Sequence, residues 1–190
     1  MAEGTTDRAD VFRRAHAYIG HEVSESLRSI DPRLIERCIE ILTHSPVTFV
    51  YGAGRSGIIG RAFAMRLVQA GITAYVIGES VTPIVRKGDA AFILSGRGES
   101  YASIQTANIV RRQGAELIVV TARPTSKLAH VATLLISLDL PDDAERKRLA
   151  PLGTLFESAS LRLTDGLIAA VLHARGETEE SMQARHAIMV

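Results

Sequence analysis

The stretch TFVYGAGRSGIIGRAFAMRLVQAG (residues 48–71) decides how this chain folds. It opens on a short apolar run, passes through a glycine-rich turn and continues with helical periodicity, which reads as a buried strand, a tight turn and a helix. The turn Gly52-Ala53-Gly54-Arg55-Ser56-Gly57 fits the G-x-G-x-x-G spacing used where a backbone must come close to a phosphate. The spacing alone leaves open whether the ligand is the pyrophosphate of a dinucleotide or the single phosphate of something smaller.

Four further apolar runs follow VTFVY (47–51): TAYVI (73–77), AAFIL (90–94), ELIVV (116–120) and ATLLISL (132–138). Three of the links between them are long enough for a crossover, so the sequence predicts an α/β fold, a five-stranded parallel sheet flanked by helices. The remaining link, GESVTPIVRKGD (78–89), has no helical pattern and is expected to be a loop or short helix. Upstream, residues 1–45 predict two helices, the second starting at Pro32 with Asp31 as its N-cap. Leu34, Ile35, Cys38, Ile41 and Leu42 share one face of that helix, where Cys38 reads as a small core residue. Downstream, the charged, proline-bounded stretch 139–153 predicts an exposed loop. A long helix should run from about residue 154 to 174, stop at Gly176, and be followed by a short C-terminal helix. Without a repeat or linker, one domain is expected: N-terminal helices (1–45), an α/β core (46–174) and a C-terminal helix (175–190).

At 190 residues and 46% hydrophobic, the chain can bury a sizeable core. A net charge of +1, with both signs interspersed, gives no electrostatic case for a nucleic-acid or membrane partner. The single cysteine cannot form an intrachain disulfide, the first residues lack the apolar core of a signal peptide, and no window approaches the ~20 apolar residues of a membrane span. A cytoplasmic location is expected.

In open parallel sheets, ligands bind beyond the carboxyl ends of the strands, where the direction of winding reverses. The turns after the first and third strands would meet there. The second is Ser95-Gly96-Arg97-Gly98-Glu99-Ser100, again glycine, hydroxyl and arginine groups ahead of a helix. Free backbone N–H groups and the positive end of the helix dipole suit a phosphate. A dinucleotide reading would use Glu79 for ribose hydroxyls, yet Glu79 is followed by Ser80 and Thr82, and the 95–100 loop would then have no task. No Gly-Lys-Ser/Thr follows either turn, and the histidines form no ligand pattern with Cys38, so neither an ATP loop nor a metal is expected.

The run GAGRSGIIGRAFAMRLVQAG, the loop SGRGES, the segment PLGTLFE (151–157) and the terminal ARHAIMV (184–190) together resemble the 6-phospho-3-hexuloisomerases of the sugar isomerase (SIS) domain family, whose fold is flavodoxin-like. The resemblance implies a cofactor-free isomerase that interconverts D-arabino-3-hexulose 6-phosphate and D-fructose 6-phosphate in the ribulose monophosphate route of formaldehyde fixation. It also implies a homotetramer with sites near subunit contacts. The family's loop usually reads Ser-Gly-Ser-Gly-x-Thr; here Arg97 and Ser100 stand at its third and sixth positions. Related readings are a regulator's sugar-phosphate-sensing module and an arabinose 5-phosphate isomerase. Against them stand the lack of a basic recognition helix and of further regulatory domains.

Moving a carbonyl between neighbouring carbons requires a proton to be taken from one and returned to the other through a cis-enediol. The resemblance gives Glu157 as the base. By local pattern alone, Thr154 and Glu157 also fit a capping box. It likewise matches Arg185-His186 to the family's terminal Arg-His, with His186 acting from a neighbouring subunit; by position alone His186 is a solvated residue. Gly54, Ser56, Gly57, Ser95, Gly96, Gly98, Glu99, Ser100 and Thr154 are candidate substrate-binding residues, with Glu79, Ser80 and Thr82 as sugar-hydroxyl partners. Arg55 reads equally as a phosphate contact or a subunit salt bridge. Arg97 reads as a phosphate contact or a solvated side chain, and Arg61 and Arg66 as surface or interface residues.

Overall fold

The structure, a computed structural model, describes residues 7–188. Two helices lead, α1 (Arg8–Arg28) and α2 (Pro32–His44). The α2 start is the one expected, since Asp31 accepts from the Arg33 amide with Pro32 behind it. The core then alternates: β1 (Thr48–Gly52), α3 (Arg55–Gln69), β2 (Ala74–Val76), β3 (Ala90–Leu94), α4 (Tyr101–Arg112), β4 (Glu116–Thr121), α5 (Lys127–His130) and β5 (Leu134–Ser137). Three helices close the chain: α6 (Ala144–Leu149), α7 (Thr154–Arg175) and α8 (Glu179–Ala184).

All five strands pair in parallel in the order β2-β1-β3-β4-β5, which is the expected fold class. The period-two pleat sends alternate residues to opposite faces. Val50, Phe92, Leu94, Ile118 and Val120 join one core with Cys38, Leu42, Phe63, Leu67, Leu163 and Leu167, under α2, α3 and α7. Phe49, Ala91, Ile93, Leu117 and Val119 join the other with Ala107, Val110 and Leu128, under α4 and α5. Burial on both faces explains why β3 carries no polar residue, and the tilted Phe63–Phe92 pair, with centroids 4.8 Å apart, ties α3 to the sheet centre. Cys38 is fully buried, and burial pushes its thiol up to about 12, so it stays protonated and inert at neutral pH.

One expectation resolves to its loop alternative and two need correction. The 78–89 link holds turns but no helix, with the Thr82 hydroxyl donating to the Val76 carbonyl where β2 ends. The 139–153 stretch is not simply an exposed loop. Asp143 caps α6, whose apolar side buries Leu149 with Ala150, and Arg146 bonds both Asp142 and the Leu152 carbonyl. Its charges hid a one-sided helix. The C-terminal helix covers only Glu179–Ala184, because Gly176 at φ +65° ends α7 and Thr178 must cap a new start.

Candidate functional site

Winding reverses between β1 and β3, which pair in register so that Gly52 lies opposite Leu94. The two glycine turns therefore begin side by side. Gly52 and Gly57 make the first turn tight: a Cβ on Gly57 would lie 2.5 Å from the Gly52 carbonyl oxygen. The second turn is held from behind. Gly96 O accepts from the Ala122 amide at 3.0 Å and the Thr121 hydroxyl at 3.2 Å, and Gly98 O accepts from the Leu128 amide at 3.1 Å. With carbonyls engaged towards β4 and α5, the amides of Arg97, Glu99 and Ser100 have no intramolecular acceptor among the described residues.

Gly98 has φ +63°, and an added Cβ would overlap Ser126 Oγ, which itself caps α5. Gly98→Ala is expected to cost about 2–4 kcal/mol by combining left-handed strain with overpacking. Gly88→Ala, also at positive φ but facing open space, should cost only about 1 kcal/mol. Urea denaturation of both variants checks the difference, and equal losses would mean that Ser126 yields freely.

Helix starts separate the site from the rest of the molecule. Side chains cap α1, α2, α5, α6 and α8, through Asp7, Asp31, Ser126, Asp143 and Thr178. The starts of α3, α4 and α7 have no side-chain cap. Two of the three are brought together by direct contacts around the second turn. Phe156, in the first turn of α7, packs so close to Gly96 that a Cβ there would meet its ring at 3.1 Å. Arg55 at the start of α3 reaches Glu157 of α7, Nε to Oε2 at 3.0 Å. The third, α4, grows directly out of the second turn. Open N–H groups at converging helix starts form an anion site.

The Arg55–Glu157 pair corrects the capping-box reading. Gly153 is the N-cap of α7, the Thr154 hydroxyl donates to the Pro151 carbonyl at 2.7 Å, and the Glu157 carboxylate, though it lies against Gly153, makes no capping bond and pairs with Arg55. The ion pair lies within one chain, so Arg55 is not reserved for a subunit salt bridge. Glu157 is only 13% exposed while Arg55 is 66% exposed, and Oε2 is buried without a hydrogen bond of good geometry.

Ser56 and Ser100 are half-buried and Ser95 is buried, all within the two turns, whereas Arg97 and Glu99 are exposed. Glu79 is exposed and paired with Arg61 at 2.8 Å beside a cleft of about 150 Å³ between β1, α3 and the end of β2. Ser80 is exposed near it, while Thr82 spends its proton on Val76. Among the described residues no group of three or more His, Cys, Asp or Glu side chains is placed to hold a metal ion, and no helix is long and apolar enough to cross a membrane.

His186 is elsewhere. It follows α8 and borders a larger cavity of about 380 Å³ shared with Arg66 and Gln69 at the far end of α3 and Leu172 near the end of α7. Arg66, at that cavity, stands eleven residues and roughly 16 Å of helix rise along α3 from Arg55, which pairs with Glu157, so the His186 and Glu157 of one chain lie at different levels of the molecule. Arg185 fixes the tail there through a two-pronged bond to Glu177, at 2.9 and 2.8 Å, and another to Gln69 O. Arg185 holds the Glu177 carboxyl down to about 2. Its stabilising contribution is therefore complete above the usual carboxylate range and fades only as pH falls through that value.

The residues missed by sequence reading are those that organise the site from behind: Phe156, Ser126, and Arg146, whose bond to the Leu152 carbonyl steadies a turn in which Leu152 sits at φ +59° with its side chain exposed. Phe156 lay in plain view inside PLGTLFE, but nothing local distinguishes it from an ordinary core residue.

A family model described as SIS domain matches residues 41–161, which include both turns and Glu157. The chain is 34% identical over 154 residues to a 3-hexulose-6-phosphate isomerase of Methylomonas aminofaciens, covering 80% of this chain and 85% of that one. It is 32% identical over 175 residues to a Bacillus subtilis protein of the same name, covering 90% and 95%. A crystal structure of a Methanococcus jannaschii protein, from which 3-hexulose-6-phosphate isomerase function was inferred, superposes with a TM-score of 0.82 at 26% identity, covering 90% and 97%.

Proposed function

This chain belongs to the SIS domain family, and from that premise we propose that it is a 6-phospho-3-hexuloisomerase, interconverting D-arabino-3-hexulose 6-phosphate and D-fructose 6-phosphate in the ribulose monophosphate route. At the coarser level it is a sugar-phosphate isomerase, like its named relatives. The observation that carries the finer reading is the convergence of two glycine turns and uncapped helix starts on a largely buried carboxylate, Glu157.

In this reading the phosphate sits on the open amides of the two turns, with the Ser56, Ser95 and Ser100 hydroxyls around it and Arg55 and Arg97 supplying positive charge. Glu157 takes the proton from C2 of the 3-ketose and returns it to C3, so the carbonyl moves to C2 through a cis-enediol and no electron leaves the sugar. A second proton must pass from O2 to O3. His186 of a neighbouring subunit in a homotetramer serves that transfer, since imidazole gives and takes protons near neutrality. Glu79, Ser80 and Thr82 border the sugar end, and Thr154 the turn before Glu157.

The test is a coupled assay with 3-hexulose 6-phosphate made enzymatically and fructose 6-phosphate detected downstream. The expected result is conversion well above background without added nucleotide and unchanged by a chelator. Absence of product would defeat the activity and leave the fold standing.

A further inference from the structure

Glu157 is held by an ion pair in which only one partner is free to leave. Its carboxylate lies 13% exposed in the first turn of α7, with Oε2 buried and unsatisfied by any well-formed hydrogen bond. Arg55 neutralises it from 3.0 Å but is itself 66% exposed, on the first residue of α3, beside that helix's uncapped amides. To take a substrate proton, a carboxylate held by a guanidinium must give up that attraction. A phosphate dianion arriving at the start of α3 competes directly for the same cation, with more charge and more acceptor oxygens.

We propose that Arg55 is a phosphate-operated switch on Glu157: the empty site keeps the carboxylate held in the ion pair, and the substrate's phosphate draws the guanidinium away, leaving a buried, unpaired carboxylate facing the sugar. The proposal rests on the isomerase reading above and deepens it. The substrate's non-reacting end thereby contributes its binding energy to the chemical step. The phosphate is then required for turnover as well as for binding, and water is spared a competent base in the empty enzyme.

The measurement compares wild type with Arg55→Gln, whose exposed side chain leaves the fold intact by thermal unfolding. With unphosphorylated 3-hexulose, where nothing draws Arg55 away, wild type should turn over slowly, and Arg55→Gln should be faster by about three- to tenfold because its Glu157 is already released. Saturating phosphite dianion should raise wild-type turnover of that sugar about tenfold or more and leave Arg55→Gln within about twofold. With the phosphorylated substrate the variant should show a raised KM and a smaller loss in kcat. A residue that only binds phosphate gives no gain on the unphosphorylated sugar, so an equal or slower Arg55→Gln overturns the switch while the isomerase reading, judged by wild type on the phosphorylated substrate, stands. A crystal soaked in inorganic phosphate supplies the second readout. Phosphate on the turns with Arg55 moved onto it supports the switch; phosphate there with the 3.0 Å pair unbroken overturns it. No phosphate on the turns also overturns the switch, while the isomerase reading is still judged by wild type on the phosphorylated substrate.

Discussion

Glu157→Gln is expected to lower kcat by about 10²- to 10⁴-fold, the range a positioned general base contributes, while the protein folds and binds fructose 6-phosphate. Glutamine keeps the volume and removes the proton-accepting charge. The loss of the pair with Arg55 should change stability little, because an ion pair with one partner in solvent is worth roughly 0–1 kcal/mol. The substitution therefore separates chemistry from architecture, which an alanine beside Gly96 and Phe156 would not. Glu157→Asp should fall in between, since a carboxylate withdrawn by one methylene keeps its charge but loses its reach. Other carboxylates near the turns are poorer candidates: Glu79 is paired with Arg61, and both Glu79 and Glu99 are exposed to water. Steady-state kinetics, thermal unfolding and a calorimetric titration with fructose 6-phosphate test the claim. A variant within a few-fold of wild type in kcat removes Glu157 from the role.

The path to that prediction shows which kind of information a sequence carries. Features whose cause is local were legible: the Asp31 cap with Pro32 at the α2 start, the left-handed stop at Gly176, and the apolar runs of a sheet buried on both faces. The adjacency of the two turns was legible too, because the handedness of parallel crossovers leaves few ways to order five such strands. Thr154 and Glu157 mark where this reasoning stops. Their spacing satisfies a local rule, but Glu157 turns to Arg55, brought within 3.0 Å only by the packing of α3 and α7. Glu79 followed the same course, reaching from the turn after β2 to Arg61 of α3. Charge patterns mislead similarly, for the acidic and basic residues of 139–153 concealed α6. Where a side chain can choose between a neighbour in sequence and a partner in space, sequence alone names only the first.

His186 makes the strongest case for a partner outside the chain. Exposed just beyond α8, its ring bonds among the described residues only to the Ala187 carbonyl, so its side chain holds no element of the fold in place. Yet within its own chain it borders the cavity beside Arg66, about 16 Å along α3 from the Arg55–Glu157 pair. His186→Ala is accordingly expected to retain its melting temperature and to lose about 10²-fold or more in kcat, as for a missing general acid–base group. A single loss of activity cannot say whose site has been damaged, but a mixture can. If each site takes Glu157 from one subunit and His186 from another, subunits of inactive Glu157→Gln and inactive His186→Ala proteins, exchanged at random, form some sites in which both groups are intact. At equal proportions about a quarter of all sites should qualify, because each site then draws its two groups independently. Activity near a quarter of wild type is thus the expected outcome, read after native mass spectrometry has shown mixed oligomers. Were the site complete within one chain, every site in the mixture would lack one group and activity would not recover at all. A Glu157→Gln, His186→Ala double variant mixed with wild type distinguishes the cases again: shared sites give about a quarter of wild-type activity per site, self-contained sites about a half.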